Sequence, residues 1–449
     1  MVAVFDRSAR ARALPLLNLA DPGRPLAWRG SRRVDVAGFL ADVADVAATL
    51  PAARSAINLC EDRYAFLVAF CAIAGRGQTN LLPSARTPQA IAETLAAHPG
   101  SYTLGDAGSG AMQALPPLMS EDAGAAVPVI DAEQVVAIGF TSGSTGQPKP
   151  NPKRWHALHA SEARNVAALA DALDLEPGMI ANVVATVPPQ HMYGIELSVL
   201  LPLLGPFAVH GGRPLFPADV AAALSDVPEP RLLVTTPVHL RALLADPAPL
   251  PKIGAIVSAT APLPPELAAA AEARYGAPLL EMFGSTETCV IAQRRTAIES
   301  DWHLYDGLRL RPQPDGTLVD APYFEQPIVL QDLVELLPEH RFRLCGRHAD
   351  LIDIAGKRAS LAELTRRVQS LPGVTDAAVL QLDRPDSMGV CRIAALVVAP
   401  ARSEADLLDE LRAIVDPAFL PRPLRKLDAL PRNETGKLPR AALLAALDA

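Results

Sequence analysis

The sequence predicts an α/β protein in two parts: a large N-terminal domain of mostly parallel or mixed sheets packed with helices, and a small α+β C-terminal domain. Three observations carry this. Short β-rich runs alternate with segments of helical periodicity through most of the chain. At 449 residues the chain exceeds one ordinary hydrophobic core. After about residue 345 the rhythm changes to that of a smaller unit.

The elements follow in order. "VDVAGFLADVADVAATL" and "PQAIAETLAAH" place apolar residues at helical spacing, whereas "SAINLC", "VVAIGF", "IANVVATVP", "RLLVTT" and "IGAIVSAT" read as strands. The 43 prolines are spread along the chain and punctuate loops. Beyond the change of texture, "HADLIDIAGKRASLAELTRRVQSLPGVTDAAVLQL" reads as strand, glycine turn, helix, turn, strand. "CRIAALVVAP" is a further strand, and "SEADLLDELRAIV" a helix with Ser403 as its N-cap. These readings put the boundary near Cys345–Arg347 and divide the chain into residues 1–345 and 346–449.

Composition excludes several classes. Half the residues are hydrophobic and 20% are charged, which suits a globular chain with a large core rather than a disordered one. A net charge of −8 disfavours nucleic acid or an anionic membrane as partner. No uninterrupted apolar window reaches about 18 residues, the length of a spanning helix. The N-terminus lacks the ordered layout of a signal peptide. Five scattered cysteines without a CxxC pair suggest neither a disulfide framework nor structural zinc, and point to a reducing cytoplasm.

One segment stands out. "FTSGSTGQPKPNPKRW" (Phe140–Trp155) follows the apolar run "QVVAIG". Glycines let backbone N–H groups turn inward, hydroxyls add donors and a lysine adds charge, so such a loop after a strand suits phosphate. It is not a Walker A loop, because Gln-Pro separates Lys149 from Gly146, and it is not GxGxxG. A generic Ser/Gly stretch is more often a solvated loop. The order Thr-Ser-Gly-Ser-Thr-Gly-x-Pro-Lys, however, resembles the signature loop of the adenylate-forming enzymes: acyl- and aryl-CoA synthetases, nonribosomal peptide synthetase adenylation domains and luciferases. Six further segments resemble that superfamily's motifs in order. They are "PPQHMYGIE" (Pro188–Glu196), "SATAPLPPEL" (Ser258–Leu267), "MFGSTET" (Met282–Thr288), "LQDLVEL" (Leu330–Leu336) and the pair "CGRHADLIDIAGKR" and "PRNETGKLPR" near the C-terminus. The resemblance spans residues 140–440; before that only the helix–strand rhythm is shared, and the chain is short for the superfamily.

The resemblance implies a reaction in two halves. A carboxylate attacks the α-phosphate of ATP and releases pyrophosphate, and a thiol of CoA or of a phosphopantetheinyl carrier protein then takes the acyl group. Such phosphoryl chemistry needs positioning and charge neutralisation rather than a protein nucleophile. By motif, Thr141, Ser142, Gly143, Ser144, Thr145, Gly146 and Lys149 cradle the β- and γ-phosphates. Ser258, Ala259 and Thr260 lie beside the adenine, Phe283 stacks on it with Gly284 adjacent, and Thr286 bonds the α-phosphate. Glu287 holds Mg²⁺. Taken alone, "STE" is more often a helix N-cap. Asp332 accepts from the ribose hydroxyls, and Arg347 also reaches the nucleotide. Lys437 is the catalytic lysine of the small, mobile domain and neutralises developing charge. His191 shapes the acid pocket, with Tyr193, Gly194 and Met282 lining it.

Departures from the pattern are informative. Ala349 occupies a hinge position usually acidic or Lys, with Asp350 following it, and Asp353 replaces a common Lys. Pro150 replaces the usual Gly after Lys149, which stiffens the exit from the loop; Lys153 and Arg154 either add positive charge near the phosphates or, the reading preferred from sequence, are solvated. The short chain, "PPQHMYG" and the proline-rich loop exit resemble the short bacterial ligases of aryl polyene and related pigment pathways, which implies an aromatic acid and an acyl carrier protein as partner. Two alternatives stay open: a CoA ligase for a small aliphatic or fatty acid, and a catalytically silent nucleotide-binding scaffold.

Overall fold

The computed structural model describes residues 12–83, 85–106, 109–118, 126–142, 148–347, 351–354, 357–382, 391–433 and 436–448. The chain forms two compact units, one of Met1–Leu308 with Ala321–Glu325 and one of Arg309–Asp320 with Gln326–Ala449.

In the larger unit, the strand-like runs pair as expected for an α/β protein. One sheet is ordered Pro148–Arg154, Val135–Ser142, Thr79–Leu82, Ser55–Asn58, Tyr102–Gly105, Gln113–Ala114. The second contains, as adjacent strands, Cys289–Arg294, Leu279–Ser285, Ala255–Ser258, Arg231–Thr235, Ala181–Ala185, Phe207–His210 and Pro25–Arg29. From Leu279–Ser285 through Pro25–Arg29 every pairing is parallel. Such strands are buried on both faces, which explains their apolar runs. Val184, Leu233, Ile256 and Leu279 pack against Val220, Leu224, Leu240, Leu243 and Ala268 from flanking helices. Each such valine, leucine or isoleucine side chain contributes about 1.5–3 kcal/mol on burial.

Helix ends follow the polar residues that precede them. Asp35 caps Val36–Thr49 by accepting from Gly38 N–H at 3.0 Å, and Thr87 caps Pro88–Ala97. Helix Arg63–Gly75 is buried from Arg63 to Ala74. Arg63 is tolerated there because its guanidinium donates to Ser198 Oγ at 2.5 Å and to the Ala185 and Val187 carbonyls.

The proline-rich exit from the glycine-rich loop is a strand, Pro148–Arg154, antiparallel to Val135–Ser142. This corrects its reading as a stiffened loop. The reason is positional: Pro148, Pro150 and Pro152 alternate on an edge strand. A proline's missing N–H is tolerated on an edge strand, where alternate residues direct their N–H groups to the open side. An edge without donors also resists pairing with another chain.

The smaller unit holds the hairpin Asp332–Leu337 with Arg341–Arg347 and a second hairpin, Leu351–Ile354 with Lys357–Ser360. Segment 326–345, read from sequence as part of the large domain, thus clusters with this unit. Ser360 caps helix Leu361–Gln369. Ser403 caps Glu404–Ile414, accepting from Asp406 N–H at 3.1 Å as the sequence predicts. Strands Asp376–Gln381, Ile393–Val398 and Leu424–Lys426 form a sheet whose core includes Leu364, Val379, Val397, Leu407 and Leu411. Among the described residues no helix is long and apolar enough to cross a membrane.

Candidate functional site

Parallel strands present their C-terminal ends along one edge of a sheet, where ligands of such folds collect. In the second sheet of the larger unit, that edge carries the segment after Ala185 leading to His191, then Ser258–Thr260, then Ser285–Glu287. In the first sheet, Thr141 and Ser142 end the strand that leads into the glycine-rich loop, and Lys149 stands across from Thr141, exposed. Gly143, Ser144, Thr145 and Gly146 lie outside the described residues.

One contact brings the two sheets together at this edge. A Cβ on Gly139 would stand 2.8 Å from Thr286 Cγ2, so the Thr286 methyl rests on bare backbone two residues before Thr141. Sequence reading missed Gly139; its signal was a lone glycine inside an apolar strand, the mark of close backbone approach.

Ser285–Thr288 form the turn of a β-hairpin between Leu279–Ser285 and Cys289–Arg294 rather than a helix N-cap. Ser285 and Thr288 brace it from within. Thr288 N–H donates to Ser285 Oγ at 3.2 Å, and Thr288 Oγ1 donates to the Cys289 carbonyl at 2.8 Å. Lys153 braces it from outside, donating from Nζ to the Glu287 carbonyl at 2.6 Å. Lys153 is only 6% exposed, which corrects its reading as solvated. Arg154 lies at the surface with Glu133 and Glu325. Thr286 and Glu287 are half-buried.

Around the turn, Phe283 is half-buried against Trp302, with ring centroids 5.3 Å apart and planes at 51°. Met282 is buried. Gly284 is obligatory, since a Cβ there would lie 2.1 Å from the Cys289 carbonyl oxygen. Ser258 is fully buried with Oγ unpartnered among the described residues, and Ala259 is also buried. Thr260 sits at φ +79°, a left-handed conformation that strains a β-branched residue.

His191 precedes the short helix Met192–Ile195 and is half-buried. Tyr193 directs its hydroxyl to the Thr235 and Val257 carbonyls, both at 3.2 Å, so that group anchors the segment to the sheet. Gly194 permits the tight Pro-Pro turn, because a Cβ would fall 2.0 Å from the Pro188 carbonyl oxygen.

In the smaller unit, Asp332 and Arg347 are direct cross-strand partners. Thr317 Oγ1 donates to the Asp332 carbonyl at 2.6 Å. Lys437 is exposed, on a loop where its N–H donates to Asn433 Oδ1 at 2.9 Å and Gly436 takes φ +78°. Arg432 pins this loop, donating to Asp376 Oδ1 and Oδ2 at 2.8 Å and to the Gly436 carbonyl at 2.7 Å. Ala349 and Asp350 lie outside the described residues.

Behind the turn lies a buried polar group that sequence reading did not find. Asn165 donates to Glu162 at 3.1 Å and to Glu196 at 3.3 Å, and Glu196 accepts from Val290 N–H at 2.9 Å. Burial raises the Glu196 carboxyl to about 7, opposed by the Val290 and Asn165 hydrogen bonds and the charge of Lys153. Burial, then repulsion from Glu196, raises Glu162 well above its ordinary value. The signal was a carboxylate inside the apolar run "YGIELSVLL".

Residues 37–318 match the family described as AMP-binding enzyme. The chain belongs to this family. Among the curated relatives of this AMP-binding enzyme is 4-coumarate–CoA ligase of Rhodobacter capsulatus, 33% identical over 310 residues that cover 68% of this chain and 75% of that one. The 4-coumarate–CoA ligase of Halorhodospira halophila is 31% identical over 318 residues, covering 66% and 73%. In fold it is similar to o-succinylbenzoate CoA synthetase from Bacillus subtilis in complex with an acyl-adenylate intermediate, with TM-score 0.81, 19% identity and coverage of 96% and 98%. This AMP-binding enzyme is an AMP-forming acid–thiol ligase: it activates a carboxylic acid as the adenylate and transfers it to a thiol.

Proposed function

We propose that the nucleotide is ATP, that the acid is aromatic and that the thiol belongs to CoA or to a phosphopantetheinyl carrier protein. The observation that carries the nucleotide reading is the approach of Thr286 to Gly139, which places the glycine-rich loop's strand and the Thr286–Glu287 turn on one edge. Loop amides and Lys149 hold the β- and γ-phosphates, and Thr286 donates to the α-phosphate. Among the described residues no three metal-ligating groups cluster. Glu287 offers a carboxylate, which suits Mg²⁺ arriving with the phosphates, since this ion takes few protein ligands beside substrate oxygens. When bound, the ion neutralises phosphate charge.

Phe283 offers an aromatic face to the adenine, and Asp332 and Arg347 serve the ribose and phosphates. Lys437 neutralises the charge that develops between carboxylate and α-phosphate. The small domain that carries it comprises residues 346–449. His191, with Met282, shapes the acid pocket, whereas Tyr193 and Gly194 support its wall. The named acids of the two 4-coumarate ligase relatives favour an aromatic substrate. Free cysteines at all five positions suit the cytoplasm.

The test is thioester formation from ATP with aromatic and aliphatic acids, offered CoA and a phosphopantetheinylated carrier protein in turn. Aryl thioester on either acceptor is the expected product. Turnover confined to aliphatic acids would overturn the aromatic assignment.

A further inference from the structure

The edge strand Pro148–Arg154 does more than end a sheet. It begins beside Lys149 at the exit of the glycine-rich loop and reaches Lys153, whose buried ammonium donates to the Glu287 carbonyl at 2.6 Å. Lysine is a flexible side chain that ordinarily keeps its charge in water, and burying it is costly unless it is paired. Here its direct partner is one main-chain oxygen, on the residue next to Thr286.

The Lys153 ammonium is felt electrostatically by the carboxyl of Glu196. That carboxylate accepts from Val290 N–H at 2.9 Å, on the strand that leaves the same turn. Lys153 therefore grips the tip of the turn and Glu196 its outgoing strand. On the incoming side, the Thr286 methyl rests on Gly139 of the strand paired with the edge strand. The turn is held from three directions, and two of the holds come from the hairpin that carries the glycine-rich loop.

We propose that Lys153 is a positioning residue for acid activation: by holding the Glu287 carbonyl it fixes the peptide plane that aims Thr286 and Glu287 at the nucleotide. The inference rests on the reading of that turn given above. Lys153 touches no reacting atom. It ties the loop's hairpin to the turn, so that both face the nucleotide in one geometry, and small displacements of such groups are costly to rate.

The alternative is that Lys153 only balances the buried Glu196 charge. The two roles separate in ATP–pyrophosphate exchange measured beside thermal unfolding. Lys153→Met should lower kcat about tenfold to a hundredfold while the KM for the acid stays within about twofold. Lys153→Arg should recover part of that loss. The double variant K153M/E196Q removes both charges; it should regain the thermal midpoint and leave kcat low. A Lys153→Met enzyme with kcat within about twofold of the parent would overturn the proposal, as would a double variant restored in both stability and kcat. Glu287→Gln is the control for the underlying reading. It should lose exchange activity, and if it retains full activity the assignment of the turn itself fails, independently of the lysine variants.

Discussion

Gly139 shows how a residue with no chemistry can define a site. Its missing side chain is the space that the Thr286 methyl fills, so Gly139→Ala should displace Thr286. A kcat about tenfold lower, with a thermal midpoint changed little, is the expected outcome in pyrophosphate exchange; unchanged kcat would show the turn has room to shift. Lys437 is exposed, and its backbone N–H is held by Asn433 Oδ1. Lys437→Ala should reduce acyl-adenylate formation by about two to three orders of magnitude, as loss of a donor to developing charge does. Detecting the adenylate directly by chromatography checks this, and full synthesis by the variant would remove the lysine from the mechanism. The Glu162–Glu196 pair predicts a pH effect. Both folded carboxyls titrate above their ordinary value, Glu196 at about 7. The Glu196 contribution to stability is fully present below an unfolded pKa near 4.5, and it is lost as pH rises through about 7, because the unfolded chain releases a proton that the folded one keeps. Glu196→Gln should flatten the fall of thermal midpoint across that window, measured by melting at fixed pH steps; an unchanged slope would contradict it.

At the scale of elements, most of the fold was legible because local chemistry and tertiary context agree. The runs read as strands are strands, and Ser403 caps the helix it precedes. Two elements were hidden. Pro148–Arg154 carries three prolines, which argue against a strand until their alternation on an edge is visible. The Ser285–Thr288 turn follows a helix-cap pattern locally, and only pairing with Cys289–Arg294 makes it a hairpin. Lys153 reads as solvated from its neighbours because the partner that buries it lies 134 residues away. The loop bearing Lys437 is an element whose shape depends on Arg432. Arg432→Ala should lower adenylate formation about tenfold by loosening it, and Arg432→Lys should not restore the two-pronged bond to Asp376. Rate measurements on both variants decide this, and full activity in Arg432→Ala would show that the loop needs no pin.

For the whole molecule, motif order carried more than any single residue. Seven short segments far apart in sequence pointed to one reaction, and the fold sets four of them in the larger unit, at or beside C-terminal strand ends. Asp332, Arg347 and Lys437 belong to the smaller unit. What the sequence could not display is contact between segments: the Gly139–Thr286 approach and the Lys153–Glu287 bond both join residues more than a hundred positions apart. The proposed acid pocket is illegible for a similar reason, since His191 and Met282 sit on separate elements, one before the helix Met192–Ile195 and the other in the strand Leu279–Ser285. The central claim is acid activation at the expense of ATP, and ATP–pyrophosphate exchange across a panel of aromatic and aliphatic acids tests it most directly. Acid-dependent exchange, strongest with an aromatic acid and lost in Lys437→Ala, is the predicted result; exchange with none of the acids would contradict it.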